Sequence, residues 1–365
     1  MGVKNNGEFK IPLELESYLK NKFSSEGIIT IPSGENFYID FWKKGMEMQN
    51  LHSFQLLKDF YPQLYFPIQP EINKTEDYMS AVLKGKDTYE NLQEYLQLNE
   101  ADGIGIRIYE SIIGEIPVIS VDDSRDFTTI VQSFLHKNNP VEVPQSMGAF
   151  LANGINNWAR IHALKKKWTA THPFGNWNEE FSKNILPHPD LYKDKIIVLS
   201  TKPYSNVPAD QLGLSCDEWK AYSYAIRLEH ECTHLYTLKT YGSASNNLHD
   251  ELIADYIGIA KASGKYHKEW MLLFMGLENY PEYRQGARLQ NYLDNMQLPE
   301  ENFQQLISII KNAIDSIAWF DNELGSIQSD KDQIKRIETL CETDLIDIAS
   351  ERGGYILLTK YNEKG

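Results

Sequence analysis

Cysteine is scarce in this 365-residue chain: Cys216, Cys232 and Cys341 stand far apart, odd in number and without a CxxC spacing. Neither a disulfide framework nor a thiolate zinc knuckle is suggested, and a reducing compartment is expected. Long apolar runs are also lacking. No stretch approaches the eighteen or so residues that a membrane-spanning helix needs, and the opening MGVKNNGEFKIPLELESYLK carries no signal-peptide core. Gly2 is not followed by the Ser or Thr that myristoylation favours, since Asn6 occupies that place. Basic residues are outnumbered, with 36 Lys and Arg against 51 Asp and Glu, a formal charge of −15. Such a surface repels nucleic acid and anionic membranes, so neither is an expected partner. No repeat or low-complexity tract interrupts the chain. With 42% apolar residues it reads as a folded, cytoplasmic protein able to bury a sizeable core.

Periodicity and breakers divide the chain into a mixed front and a helical back, an α+β reading. Pro12 to Phe23 patterns as a short amphipathic helix, and Gly27 to Ile31 and Phe37 to Trp42 as strands. Gly103 to Ile113 and Ile116 to Val121, separated by Gly114 and Glu115, suggest a hairpin. Asp123 or Ser124 can then cap a helix to about His136. The stretch HKNNPVEVPQ, His136 to Gln145, holds two prolines and two asparagines and is the expected boundary between an N-terminal region, 1–140, and a mainly helical region, 141–365. Thr169 to Asp190 reads as a long irregular loop of the kind that forms lids or insertions. Beyond Ser215 the pattern is mostly helical, with long runs at Glu300 to Leu324 and Ser329 to Ser350.

The chemistry concentrates in HECTH, residues 230–234, an HExxH match. Histidines at i and i+4 lie one turn apart on one helix face, so the imidazoles of His230 and His234 can reach one tetrahedral ion. Glu231, rotated by about 100°, can lean over an open coordination position and take a proton from a water held there. Ser215 with Glu218 forms a capping box and Gly242 supplies the stop, giving one long helix from about Cys216 to Tyr241. Ala221, Ala225, Leu228, Cys232 and Leu235 form an apolar stripe opposite the histidines.

A third ligand is offered downstream, in NNLHDELIADYIGIAKASG. Asn246 or Asn247 can cap a second helix and Gly264 can end it. Glu251 and Asp255 share one face, while Ile253, Tyr256, Ile257 and Ala260 occupy the other. Sixteen residues lie between His234 and Glu251, enough for a loop and a return of the second helix alongside the first.

HECTH followed by DELIADYIG resembles the gluzincin metallopeptidases, the thermolysin-like zinc enzymes. The resemblance spans about Ser215 to Gly264, and its interval between motifs is shorter than in thermolysin itself. It implies zinc ligands His230, His234 and Glu251, a general base at Glu231, and a partner for the His230 ring at Asp255. Such a site also needs a donor for the oxyanion, for which the chain offers His267, Tyr280, Tyr283, Arg284 and Arg288. His172 and His188 read as loop residues, and Cys232 as a buried thiol. The expected activity is hydrolysis of a peptide or small amide. An extended substrate is expected against a strand, Met147 to Ile155 or Ile196 to Leu199, in a cleft narrowed by the Thr169 to Asp190 loop. The contrasting reading is a non-catalytic binding or regulatory protein in which zinc staples two helices.

Overall fold

The structure, a computed structural model, describes residues 13–23, 37–47, 52–242, 247–293 and 298–365. It is α+β, with a four-stranded mixed sheet and a mainly helical C-terminal region. No helix among the described residues is long and apolar enough to cross a membrane. The chain divides into two compact units: Ser33–Lys202, and Met1–Pro32 together with Pro203–Gly365.

The Ser33–Lys202 unit is built on strands β1 (Ile104–Ser111), β2 (Gly114–Val121), β3 (Ala149–Asn156) and β4 (Lys193–Ser200), in the order β1-β2-β4-β3. β1 and β2 form the expected antiparallel hairpin. Its turn falls on Ile112 and Ile113, just ahead of Gly114 and Glu115. Ser111 Oγ accepts from the Ile113 N–H and donates to the Gly114 carbonyl, and Gly114 supplies the positive φ of 96° that the tight reversal demands. β2 runs parallel to β4, and β4 pairs antiparallel with the edge strand β3. β4 is central, which explains its unbroken run Ile196 to Leu199, buried throughout.

Three expectations are corrected in this unit. Phe37 to Trp42 is helix α1 (Phe37–Glu47) and not a strand. Ile39 and Trp42, one helical turn apart, are both fully buried, so the period of the apolar residues is three to four and not two. The stretch from His136 to Gln145 lies inside the unit, because β3 and β4, which follow it, pair with each other and β4 pairs with β2, which precedes it. Thr169 to Asp190 is largely ordered. Helix α2 (Trp158–Thr171) runs into it, Pro173 follows its end, and Asn176 caps a short helix, Trp177–Glu180, that passes into a wide turn over Phe181–Ile185. Trp168 stacks on His172 and packs against Trp177, so the aromatics that read as loop residues tie these turns together. The expected strand Gly27 to Ile31 lies outside the described residues.

The other unit carries the helices α3 (Cys216–Tyr241), α4 (Leu248–Ser263), α5 (Lys268–Met275), α6 (Glu300–Leu324) and α7 (Asp330–Cys341), with a helix at Leu13–Leu19. The run expected over Ser329 to Ser350 is broken: α7 stops at Cys341, and Leu345–Ile348 forms a separate turn of helix. Thr343 Oγ1 folds back onto the Thr339 carbonyl at 2.7 Å, satisfying an acceptor at the end of α7. α3 begins at the predicted capping box and ends at Gly242, and α4 is capped by Asn247 and ends at Gly264. The two pack closely enough that a Cβ on Gly258 would sit 2.7 Å from the Ile226 carbonyl oxygen.

The one-sided stripe predicted for α3 is corrected as well. Ala221 is exposed and Ala225 only half-buried, whereas Glu229, His230, Glu231 and Thr233 are buried along with Leu228, Cys232 and Leu235. Every residue of α4 from Leu248 to Ala260 is buried. The polar faces of both helices are therefore enclosed in protein, and their charges must find partners there.

Candidate metal centre

His230, Glu231 and His234 come from the buried second half of α3, Glu251 and Asp255 from the first turns of α4. The packing of the two helices brings His230, His234 and Glu251 together, with one ligand atom of each within 4.8 Å of the others. The two Nε2 atoms are 2.9 Å apart, and each lies 3.5 Å from a carboxylate oxygen of Glu251.

What holds the rings in this orientation is a carboxylate behind each. His230 Nδ1 is 2.9 Å from Asp255 Oδ1, and His234 Nδ1 is 3.0 Å from Asp250 Oδ2. An ionised carboxylate only accepts, so each Nδ1 donates backward and each Nε2 is turned toward Glu251. With both rings neutral, as a bound ion would require, three Lewis bases converge there. Ligand atoms about 2.1 Å from a tetrahedral ion lie roughly 3.4 Å apart, close to the 3.5 Å between each Nε2 and Glu251. The buried cluster His230, His234 and Glu251 could hold a metal ion.

The electrostatics of the ion-free cluster separate charge between His234 and Glu251. Burial pulls His230 down to about 4, helped by the neighbouring His234. Burial also pulls on His234, but Asp250 and Glu251 outweigh it and raise the ring well above the usual histidine range. Burial works against the charge of Glu251, yet His234, His230 and Arg288 overcome it and hold the carboxyl at about 2. The cluster thus favours an anionic Glu251 with a positive charge beside it. Glu231 responds the other way: burial raises its carboxyl, with His230 and His234 opposing. Its carboxylate takes no hydrogen bond among the described residues, which leaves it available as an acceptor.

Of the five oxyanion candidates, Arg288 joins the cluster. Its Nη2 contacts Asp255 Oδ2, and its Nη1 donates to Ser205 Oγ at 3.1 Å. The other four are engaged elsewhere. His267 stacks on Trp270, Tyr280 stands half in solvent near Lys311, Tyr283 donates to the Ala287 carbonyl, and Arg284 binds Glu278 and the Leu273 carbonyl.

Three residues were not singled out from the sequence. Asp250 adjoins Glu251, and its role could have been read from the turn of helix that carries it back toward His234. Tyr204 donates to Asp255 Oδ1 at 2.5 Å, and the buried Tyr292, whose hydroxyl pKa burial raises, lies near enough to Glu251 and Arg288 to feel both charges. Neither tyrosine lies within a motif, and only the folded chain brings them here.

The profile of a family of unknown function, DUF7005, matches residues 5–352. The chain belongs to DUF7005. The match takes in both ligand helices and the sheet, so the candidate centre of this DUF7005 protein lies within the family region. Neither the curated proteins nor the solved structures compared with it contain a match.

Proposed function

We propose that this protein is a zinc-dependent hydrolase, a metallopeptidase or amidase in which His230, His234 and Glu251 hold the ion and Glu231 is the general base. The observation that carries the reading is the pair of Nε2 atoms 2.9 Å apart, each ring backed by a carboxylate and faced by Glu251. Two imidazoles and a carboxylate are a donor set that suits zinc. Zinc bound there would polarise a carbonyl and lower the pKa of a coordinated water to about 7.

The chain's own groups supply the rest. Glu231, raised by burial, accepts a proton at its carboxylate and returns it to the leaving amine. Tyr292, buried beside Glu251, is the candidate donor to a developing oxyanion, because Arg288 Nη1 and Nη2 are committed to Ser205 and Asp255. A purely structural site would need no base at position 231, which favours catalysis over a zinc staple.

The test is to incubate zinc-loaded protein with a mixed peptide library, reading products by mass spectrometry against Glu231→Gln. The variant keeps the shape of the side chain and loses the base, so product formation should fall by about 10²–10⁴-fold with the metal retained. Cleavage undiminished in Glu231→Gln would remove Glu231 from the mechanism. Absence of any cleavage by the parent would favour a non-peptide amide or the staple.

A further inference from the structure

The turn that leads toward α3 is fastened at three consecutive residues, two to α3 itself and one to Arg288 beside the candidate centre. The Pro203 carbonyl accepts from Arg227 Nη2 at 2.9 Å, the Tyr204 N–H donates to Ser223 Oγ at 2.9 Å, and Ser205 Oγ accepts from Arg288. The Tyr204 ring is buried edge-on to Phe274, with the guanidinium of Arg227 at 5.4 Å and that of Arg288 at 5.2 Å. Its hydroxyl donates to Asp255 Oδ1 and lies 3.2 Å from His230 Nδ1. Ser205 and Asn206 hold φ values of 50° and 58°, a left-handed conformation that residues other than glycine rarely adopt. Such a backbone persists where its surroundings over-determine it. Here they do, and what they fix in space is one hydroxyl.

The two histidines are consequently supported unequally. Behind His230, both oxygens of Asp255 are engaged by other groups, Oδ1 by Tyr204 and Oδ2 by Arg288. Behind His234, Asp250 receives a longer contact, 3.3 Å, from Thr237 Oγ1. We propose that Tyr204 is a positioning residue for the centre: its hydroxyl fixes Asp255 so that the His230 ring keeps Nδ1–H donated backward and Nε2 turned toward His234 and Glu251. His230 is then the rigid ligand and His234 the adaptable one. This inference rests on the metal reading above.

Tyr204→Phe keeps the ring and removes the hydroxyl. In zinc-loaded, nitrogen-15-labelled protein, the His230 Nδ1–H resonance should shift or broaden while that of His234 stays in place, and zinc transfer to a competing chelator should quicken about tenfold. A role in packing alone would move neither, because the ring stays. Ser205→Gly is the second variant: it removes the Arg288 contact and relaxes the left-handed turn. It should quicken zinc transfer without lowering the unfolding midpoint, and it remains informative if Tyr204→Phe fails to fold. Parent-like resonances and transfer rates in Tyr204→Phe, or a parent-like rate in Ser205→Gly, overturn the positioning role and leave the metal reading intact. A parent that binds no zinc overturns both.

Discussion

Asp250 and Asp255 do the same work for two different imidazoles, but their own supports differ. Both are fully buried, but Asp255 is paired with the buried Arg288, whereas Asp250 is held by Thr237 and by its place at the start of α4. Replacing either with Asn weakens the acceptor behind a ligating ring, so zinc affinity should fall by about 10–100-fold in both variants by chelator competition. Stability should separate them. Asp255→Asn strands a buried guanidinium and should cost about 3 kcal/mol in urea unfolding, while Asp250→Asn should cost about 1 kcal/mol or less. Equal stability losses would mean that the Arg288 pair carries no charge compensation. At this scale the placing of His230 with His234 on one helix face, and of Glu251 with Asp255 on another, was legible from their spacing of four. Tyr204 and Tyr292 were not, since nothing in the residues around them encodes what a distant helix will place opposite.

The spacing between α3 and α4 sets whether Glu251 meets the histidines, and Gly258 sets that spacing. Gly258 lies one turn beyond Asp255, and Ile226 one turn before His230, so their contact is a close approach of the two helices beside the cluster. Ala at 258 would gain up to about 1 kcal/mol of helix propensity. The added Cβ, 2.7 Å from the backbone oxygen of Ile226, would push the helices apart at a cost of about 1–3 kcal/mol. The strain should win. Gly258→Ala should lower the urea midpoint and weaken zinc binding together; a stabilised variant with parent-like affinity would show that the helices can separate without cost. The ends of these helices were readable because caps are local: Ser215 with Glu218, Asn247, Gly242 and Gly264 all stand where the sequence puts them. The helix at Phe37–Glu47 was misread because six residues, FYIDFW, fit a period of two almost as well as one of 3.6. Its buried side is chosen by Trp42, whose indole donates to Asp194 on β4, a partner that the local run cannot reveal.

Over the whole chain, the α+β class and the helical C-terminal region followed from pattern, whereas the division into units did not. A boundary at about 140 rested on composition, but the compact units part at Lys202 and Pro203. The parallel pairing of β2 with β4 requires the chain to leave the sheet and return, and a proline-rich crossing inside such a return looks like a linker. The candidate centre belongs to one unit: His230, His234 and Glu251 all lie within residues 203–365. A ligand that binds the folded state alone stabilises it by about 2.7 kcal/mol at a hundred times its Kd. Removing zinc should therefore lower the unfolding temperature of the parent and leave that of a ligand variant nearly unchanged. The most direct measurement is elemental analysis of the protein purified without chelators, beside His230→Ala and Glu251→Ala. About one zinc per chain in the parent, lost from both variants, is the predicted result. A parent that neither carries nor takes up zinc, or stoichiometric zinc retained by both variants, would contradict the account.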